Sequence, residues 1–296
     1  MEQISVIGSG TMGNGIAHVF GLNGYKVQLY DLSAPALEEA MQAIATNLDR
    51  QIRKEIISEA DKKETLNNLN TNTNLQDAIK DSALIIEAVY EDVLVKKSIF
   101  QEADKYAPKE AILASNTSSI SISLLASFTG RSSQVIGMHF MNPVPVMELV
   151  EVIRGYNTSS STAEKVISIC EKINKIPVEV HDYPGFISNR ILMPMINEAI
   201  YALFEGVSGV VEIDTIMKLG MAHPMGPLHL ADYIGLDVCL SILKVMHDGL
   251  GNPKYAPCPL IVNMVQAGHL GRKTGQGFYL WEKGSKELKV APRFQR

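Results

Sequence analysis

The segment that most constrains this chain is Ile4-Ser-Val-Ile-Gly8-Ser-Gly10-Thr11-Met12-Gly13, answered further on by Leu29-Tyr-Asp31. Ile4, Val6 and Ile7 make a short apolar run that predicts a buried strand. Gly8 permits a tight turn out of that strand. Gly10 lacks the Cβ that would hold the backbone away from a pyrophosphate, and Gly13 lets the next helix pack close to the sheet. Phosphates would sit on this turn, Thr11 and Met12 included, where a helix N-terminus offers N–H groups and a favourable dipole. A second strand, Lys26-Val-Gln-Leu-Tyr, ends at Asp31, eighteen residues after Gly13. A carboxylate there accepts from both ribose hydroxyls of an adenosine and repels a 2′-phosphate, so NAD is the expected cofactor rather than NADP. A glycine-rich turn alone says little. Here strand, glycines, helix and acidic end occur in the order that the motif requires.

Composition fits an enzyme of about two domains, with 296 residues, 46% of them hydrophobic and 20% charged. A net charge of −5 gives no electrostatic case for nucleic acid or an anionic membrane, although local basic clusters can still bind a phosphorylated ligand. Cys170, Cys239 and Cys258 are scattered and odd in number. No metal spacing is visible, so no metal is expected, and a reduced cytoplasmic setting is. The first strand begins almost at once, so no signal or transit peptide is expected. No apolar run reaches the ~18 residues of a membrane span.

Downstream, Leu37, Met41, Ile44 and Leu48 recur at helical spacing, and the pattern predicts one helix over residues 34–66, followed by a polar loop at 67–74. Strands are expected at 83–89, 111–115 and 135–140, with a helix at about 96–106. Alternating strands and helices predict a mostly parallel, Rossmann-type sheet covered on both faces. Ligands bind such sheets at the carboxyl ends of the strands. Gly8 to Gly13, Asp31, Glu91, Ser118 and His139 all fall there. A helix at 160–174 and an extended piece at 177–180 lead to Asp182-Tyr-Pro184-Gly185, where the domain boundary is placed. The expected domains are residues 1–183, which bind NAD, and a smaller all-α domain, 184–296, for substrate and dimerisation. In the latter, Phe186 to Phe204 is apolar nearly all round, which predicts burial on most sides. Pro194 should kink it. Residues 214–219 and 231–247 look like further helices.

His139 ends a strand in a neighbourhood poor in other charges. As general base it would take a hydroxyl proton while hydride leaves the same carbon, and its ordinary pKa suits that task. A carboxylate should fix its tautomer. Glu148 and Glu151 lie on the returning strand and, three apart, face opposite sides. If Asn142 to Pro145 were a tight hairpin turn, residue 139 would pair with 148, so local geometry alone favours Glu148. Spacing does not settle the choice. Ser118 and Ser119 also fit plain turn chemistry, and Asn189 could equally cap a helix.

Five stretches taken together resemble the L-3-hydroxyacyl-CoA dehydrogenases, most of all the short bacterial 3-hydroxybutyryl-CoA dehydrogenases. They are the glycine motif Gly8 to Gly13, Ser115-Asn-Thr-Ser-Ser119, Gly137-Met-His-Phe-Met-Asn-Pro143, Glu148-Leu-Val-Glu151-Val-Ile and Pro184-Gly-Phe-Ile-Ser-Asn-Arg190. The resemblance extends to Asp232-Tyr-Ile-Gly-Leu-Asp237 and the tail from Gly271 to Tyr279. Met141 stands where a second Phe is common. The resemblance implies that His139 is the base and that Glu151, against the hairpin argument, orients it. It implies that Ser118 and Asn189 hold the reacting substrate near its oxygens, so that both domains supply catalytic pieces. Glu91 and Lys96 match positions near the nicotinamide ribose, and Asn142 and Lys273 match further cofactor contacts. The bland alternatives are a charged helix entry for Glu91 and Lys96 and a stock Asn-Pro turn for Asn142.

The exposed cations Arg50, Arg53 and Lys54 could meet the phosphates of coenzyme A, or simply form a solvated helix face. The expected activity is interconversion of short (S)-3-hydroxyacyl-CoA and 3-ketoacyl-CoA with NAD. Rivals are a lambda-crystallin-type sugar-acid dehydrogenase, a non-catalytic NAD-binding protein, and a 3-hydroxyisobutyrate-type enzyme, which would use a lysine instead of His139 and Glu151. The apolar excess of the second domain predicts a homodimer, and the resemblance implies the same.

Overall fold

The computed structural model describes residues 3–282, 284 and 287–295. The chain divides into two compact units, Met1–Tyr183 and Pro184–Arg296. The first is built on an eight-stranded sheet. Its first six strands are β1 (Gln3–Ile7), β2 (Lys26–Tyr30), β3 (Leu69–Asn72), β4 (Leu84–Glu87), β5 (Ile112–Ser115) and β6 (Val135–Phe140). With β7 (Leu149–Arg154) and β8 (Ile176–His181) they lie in the order 3-2-1-4-5-6-7-8. Strands β1 to β6 run parallel, β7 runs antiparallel to β6, and β8 runs with β7. This is a Rossmann-type sheet, as the sequence pattern predicts. Central strands β4, β5 and β6 are buried at every residue, which is why they read as continuous apolar runs.

Among the described residues, seven α-helices belong to this unit. They are α1 (Thr11–Leu22), α2 (Ala34–Arg53), α3 (Glu59–Asn68), α4 (Leu75–Ile79), α5 (Val93–Tyr106), α6 (Ile122–Ala126) and α7 (Ser160–Lys172). The amphipathic α2 buries Leu37, Ala40, Ile44 and Leu48, its 3.6-residue stripe. Two expectations fail nearby. The helix predicted over 34–66 is two helices, α2 and α3. Glu55 takes a φ of 57°, and Ser58 restarts the helix through a capping box with Asp61. The loop predicted at 67–74 contains β3, paired in parallel with β2. Only Leu69 of that edge strand is buried, so no alternating signal betrays it.

The second unit is largely helical, with α8 (Ser188–Phe204), α9 (Val210–Thr215), α10 (Pro227–Ile234), α11 (Leu236–Leu250) and α12 (Pro259–Gln266). A small antiparallel ribbon joins Tyr279–Leu280 to Lys289–Val290. The helix expected at 231–247 is broken at Gly235, whose φ of 107° ends α10 and starts α11. Helix α8 runs through Pro194. It is less covered than its composition suggests, with Ile191 67% and Phe204 53% exposed.

Two buried carboxylates hold this unit together. Asp214 accepts from the N–H groups of Leu228 (2.8 Å) and His229 (3.0 Å), capping α10 from outside, and from the Tyr279 hydroxyl (2.7 Å). Asp232, fully buried, accepts from the N–H groups of Phe278 and Tyr279, both at 2.9 Å, and from Trp281 Nε1 at 3.0 Å. The tail is thereby tied to α9 and α10. No helix among the described residues is long and apolar enough to cross a membrane.

Candidate active site

The turn after β1 fits a dinucleotide. Gly8 sits at φ 105°, and a Cβ there would strike the Ala88 carbonyl oxygen at 2.6 Å. A Cβ on Gly13 would lie 1.8 Å from the Gly8 oxygen, so only glycine lets α1 approach. A Cβ on Gly10, by contrast, meets nothing within 4 Å and would project into open space. Gly10 is the N-cap of α1 and no side chain caps it, which leaves the helix entry, with Thr11 and Met12, for an anion.

Asp31 is half-buried at the end of β2. Its carboxylate accepts from Ser9 N–H (2.9 Å), Ser9 Oγ (2.8 Å) and Ser33 N–H (3.1 Å). Burial alone would raise its pKa. The amides of Ser9, Ser33 and Leu32 and the Ser9 hydroxyl outweigh that and hold it below the usual carboxylate value. Ser9 thus couples the glycine turn to the acidic strand end, a link that the motif itself does not reveal.

A second cluster forms at the ends of β4 and β5. Lys96, 1% exposed, lies 2.6 Å from Glu87 Oε1 and 3.1 Å from Glu91 Oε2. Glu91 Oε1 accepts from the Thr117 hydroxyl (2.5 Å) and the N–H groups of Ser118 (3.0 Å) and Ser119 (3.2 Å). The burial of Glu91 pushes its pKa up. Lys96 and the Thr117 and Ser119 hydroxyls more than compensate, so it stays below the ordinary value. The charged-helix-entry reading of Glu91 and Lys96 does not describe these contacts. Sequence reasoning misses Glu87 and Thr117, because a glutamate inside an apolar run and a threonine in a polar loop look ordinary. The signal available was a charged residue where a buried strand should be wholly apolar.

The third group is the histidine pair. Strands β6 and β7 pair so that His139 faces Glu151 directly. His139 Nδ1 lies 2.7 Å from Glu151 Oε2, with both residues largely buried. The hairpin argument for Glu148 is therefore wrong. Residues 141–148 form a wider connection that contains a cis Asn142–Pro143 bond, and Glu148 is exposed ahead of β7. Lys175 secures that connection by donating from Nζ to the carbonyls of Val144 and Met147, both at 2.7 Å. Asn142 is exposed on it. Asn116 Oδ1 accepts from the N–H of Phe140 at 2.9 Å, which fixes the loop bearing Ser118 beside the end of β6.

In the second unit, buried Asn189 lies one residue inside α8, whose cap position is Ile187 without a side-chain cap. The capping alternative for Asn189 thus does not hold. Just before it, buried Phe186 takes a φ of 48°, a left-handed conformation that costs a bulky residue about 1–2 kcal/mol. Such strain collects at functional sites. Lys273 Nζ lies 2.5 Å from Asp237 Oδ2. Arg50, Arg53 and Lys54 are all exposed at the end of α2. Among the described residues no group of three or more His, Cys, Asp or Glu could hold a metal ion.

Fold and strand-end chemistry define a dinucleotide-binding dehydrogenase. Residues 3–183 match the NAD binding domain of the 3-hydroxyacyl-CoA dehydrogenases, and residues 185–281 match their C-terminal domain. The chain is 52% identical over 279 residues to the 3-hydroxybutyryl-CoA dehydrogenase of Bradyrhizobium diazoefficiens, covering 94% of this chain and 95% of that one. It is 47% identical over 281 residues to the enzyme of the same name from Clostridioides difficile, covering 95% and 100%. The solved (S)-3-hydroxybutyryl-CoA dehydrogenase of Ralstonia eutropha superposes with a TM-score of 0.92 at 45% identity, over 95% of this chain and 99% of that one. This chain belongs to the 3-hydroxyacyl-CoA dehydrogenase family.

Proposed function

We propose that the protein is an NAD-dependent dehydrogenase that interconverts short-chain (S)-3-hydroxyacyl-CoA, 3-hydroxybutyryl-CoA above all, and 3-ketoacyl-CoA. The observation that carries the mechanism is the 2.7 Å contact between His139 Nδ1 and Glu151 Oε2. With Nδ1 turned to a carboxylate, Nε2 is the atom that takes the C3 hydroxyl proton, and Glu151 stabilises the resulting imidazolium. NAD, when bound, accepts the hydride from C3. Gly8 to Gly13, Thr11 and Met12 included, hold its pyrophosphate, and Asp31 holds its adenosine ribose. Glu91, Lys96, Asn142 and Lys273 hold the nicotinamide end, while Ser118 and Asn189 orient the acyl oxygens. The test is NADH oxidation with acetoacetyl-CoA, longer 3-ketoacyl-CoAs and free acetoacetate side by side. Acetoacetyl-CoA should be turned over best. Comparable turnover of free acetoacetate would point instead to a sugar-acid type of enzyme.

Asp31→Ser, together with a nearby added arginine, should narrow or reverse the preference for NAD. Losing hydrogen bonds to a charged group should weaken NAD roughly ten-fold to a hundred-fold. A wild type that already prefers NADPH would remove this role from Asp31.

Neutralising Arg50, Arg53 and Lys54 together should raise KM for acetoacetyl-CoA about ten-fold, the sum of three exposed charge contacts. A truncated pantetheine thioester, which lacks the nucleotide phosphates, should be nearly unaffected. Equal losses on both substrates would mean that the cluster acts on folding.

The second unit leaves Ile191, Phe204, Val207, Leu219 and Met221 more than half exposed. Apolar surface on this scale marks an interface, and a two-fold dimer is its commonest solution. A homodimer with its contacts in residues 184–296 is the expected species in light scattering at micromolar concentration. A stable monomer contradicts it, as does a dimer held only by the sheet of the first unit. Bacterial relatives and the lack of a membrane-spanning helix among the described residues support a cytoplasmic location.

A further inference from the structure

Glu87 has no part in the chemistry above, yet it is among the most completely buried charged residues of the chain, at 1% exposure. It ends β4. Its Oε1 accepts from Lys96 Nζ (2.6 Å) and from the Val89 N–H (2.7 Å), and its Oε2 from Ser115 Oγ (2.6 Å). The Ser115 oxygen is itself the acceptor for the Thr117 N–H at 3.1 Å, so its own proton points to Glu87. All three partners donate, which is the pattern of an ionised carboxylate. Glu91 is likewise surrounded by donors, namely Lys96, the Thr117 hydroxyl and two backbone N–H groups. Two carboxylates and one ammonium leave this corner of the strand ends with a formal charge of −1.

We infer that Glu87 is a positioning residue that fixes the Lys96 ammonium and, by keeping the Glu87–Lys96–Glu91 cluster net negative, favours binding of the oxidised, positively charged nicotinamide over the reduced, neutral ring. The inference rests on the proposed placement of Glu91 and Lys96 beside the nicotinamide end. Its physical content is simple. The two redox forms of the cofactor differ by one unit of charge on the ring, and every other interaction is nearly common to both. An interaction removed equally from both forms cancels from the ratio of their dissociation constants. A change of cluster charge does not.

The test is equilibrium binding of NAD+ and NADH to the whole protein, with NADH followed by its fluorescence and NAD+ by competition. Four forms are compared: wild type, Glu87→Gln, Lys96→Gln and the double variant. Their formal cluster charges are −1, 0, −2 and −1. One unit of charge felt across the site through a high effective dielectric is worth about a five-fold change in Kd(NAD+)/Kd(NADH). The ratio should rise by that amount in Glu87→Gln and fall by it in Lys96→Gln. In the double variant it should return to within about two-fold of wild type. Removing one member of a buried ion pair is destabilising, so Glu87→Gln could fail to fold. The double variant replaces the pair with two neutral amides, and its comparison with Lys96→Gln then reads the same one-charge step. A ratio unmoved across the series, or equal weakening of both redox forms, overturns the inference and leaves Glu87 a purely structural residue. A wild type that binds neither form overturns the proposed function, and the inference with it.

Discussion

His139→Gln should lower turnover of acetoacetyl-CoA by about two to four orders of magnitude, the range that loss of a positioned general acid/base gives. NADH affinity should change little, because the cofactor-facing groups assigned above are other residues. Glu151→Gln should cost nearly as much, and the double variant little more than either alone. The two side chains act as one unit, and such units are strongly non-additive. Single-turnover kinetics with saturating NADH would read the chemical step directly. Near-normal turnover in His139→Gln would remove that residue from the mechanism. Strictly additive losses would mean that Glu151 acts on something other than the imidazole.

The largest expected effect on stability is at Asp232. Asp232→Ala leaves two buried donors, Phe278 N–H and Tyr279 N–H, and the part-buried Trp281 Nε1 without their acceptor. At about 1–3 kcal/mol each, this should lower Tm by roughly 10 °C or more. Burial pushes the Asp232 pKa up to about 6, although the Trp281, Tyr279 and Phe278 hydrogen bonds oppose the rise. An acid with a raised pKa in the folded state binds its proton more tightly folded than unfolded. Its contribution to stability is therefore fully present below the unfolded value and is lost as pH rises through about 6. The window, from the ordinary value of 3.8 to about 6, corresponds to about 3 kcal/mol. Denaturant melts of wild type and Asp232→Ala across that window give the check. The stability difference between them should be larger at pH 4 than at pH 7, and a difference independent of pH would show that Asp232 does not titrate there.

Much of the first unit could be read from the sequence because its signals are local. Buried parallel strands appear as short apolar runs, and the glycine turn and Asp31 have fixed offsets. Where the chain departs from the prediction, the deciding interactions are not local. Strand β3 is held by pairing with β2, and its own residues, Leu-Asn-Thr-Asn, carry no strand pattern. The break between α2 and α3 depends on one residue at positive φ and a capping box inside a run of good helix formers. The cofactor corner shows the same division. Glu91 and Lys96 could be matched by family pattern, but Glu87 and Thr117 acquire meaning only when β4 and β5 lie side by side. For the histidine pair, spacing allowed two glutamates. Local turn geometry favoured the wrong one, because it assumed that the shortest turn closes the hairpin. The family pattern favoured the right one.

The pairing of β6 with β7 makes the 141–148 connection replaceable in a way that its flanking strands are not. His139 and Glu151 face each other because of which two rungs of the ladder are opposite. The conformation of the connection does not set that. A protein engineer could graft a longer or shorter segment there, giving up the Lys175 anchor and Asn142, and the pair would still form wherever the rungs hold. One residue removed inside either strand would instead turn a partner to the opposite face of the sheet. For the pairing of His139 with Glu151, variation should therefore be tolerated within residues 141–148 and forbidden in the strands on either side, although Asn142 and the buried Val144 carry constraints of their own.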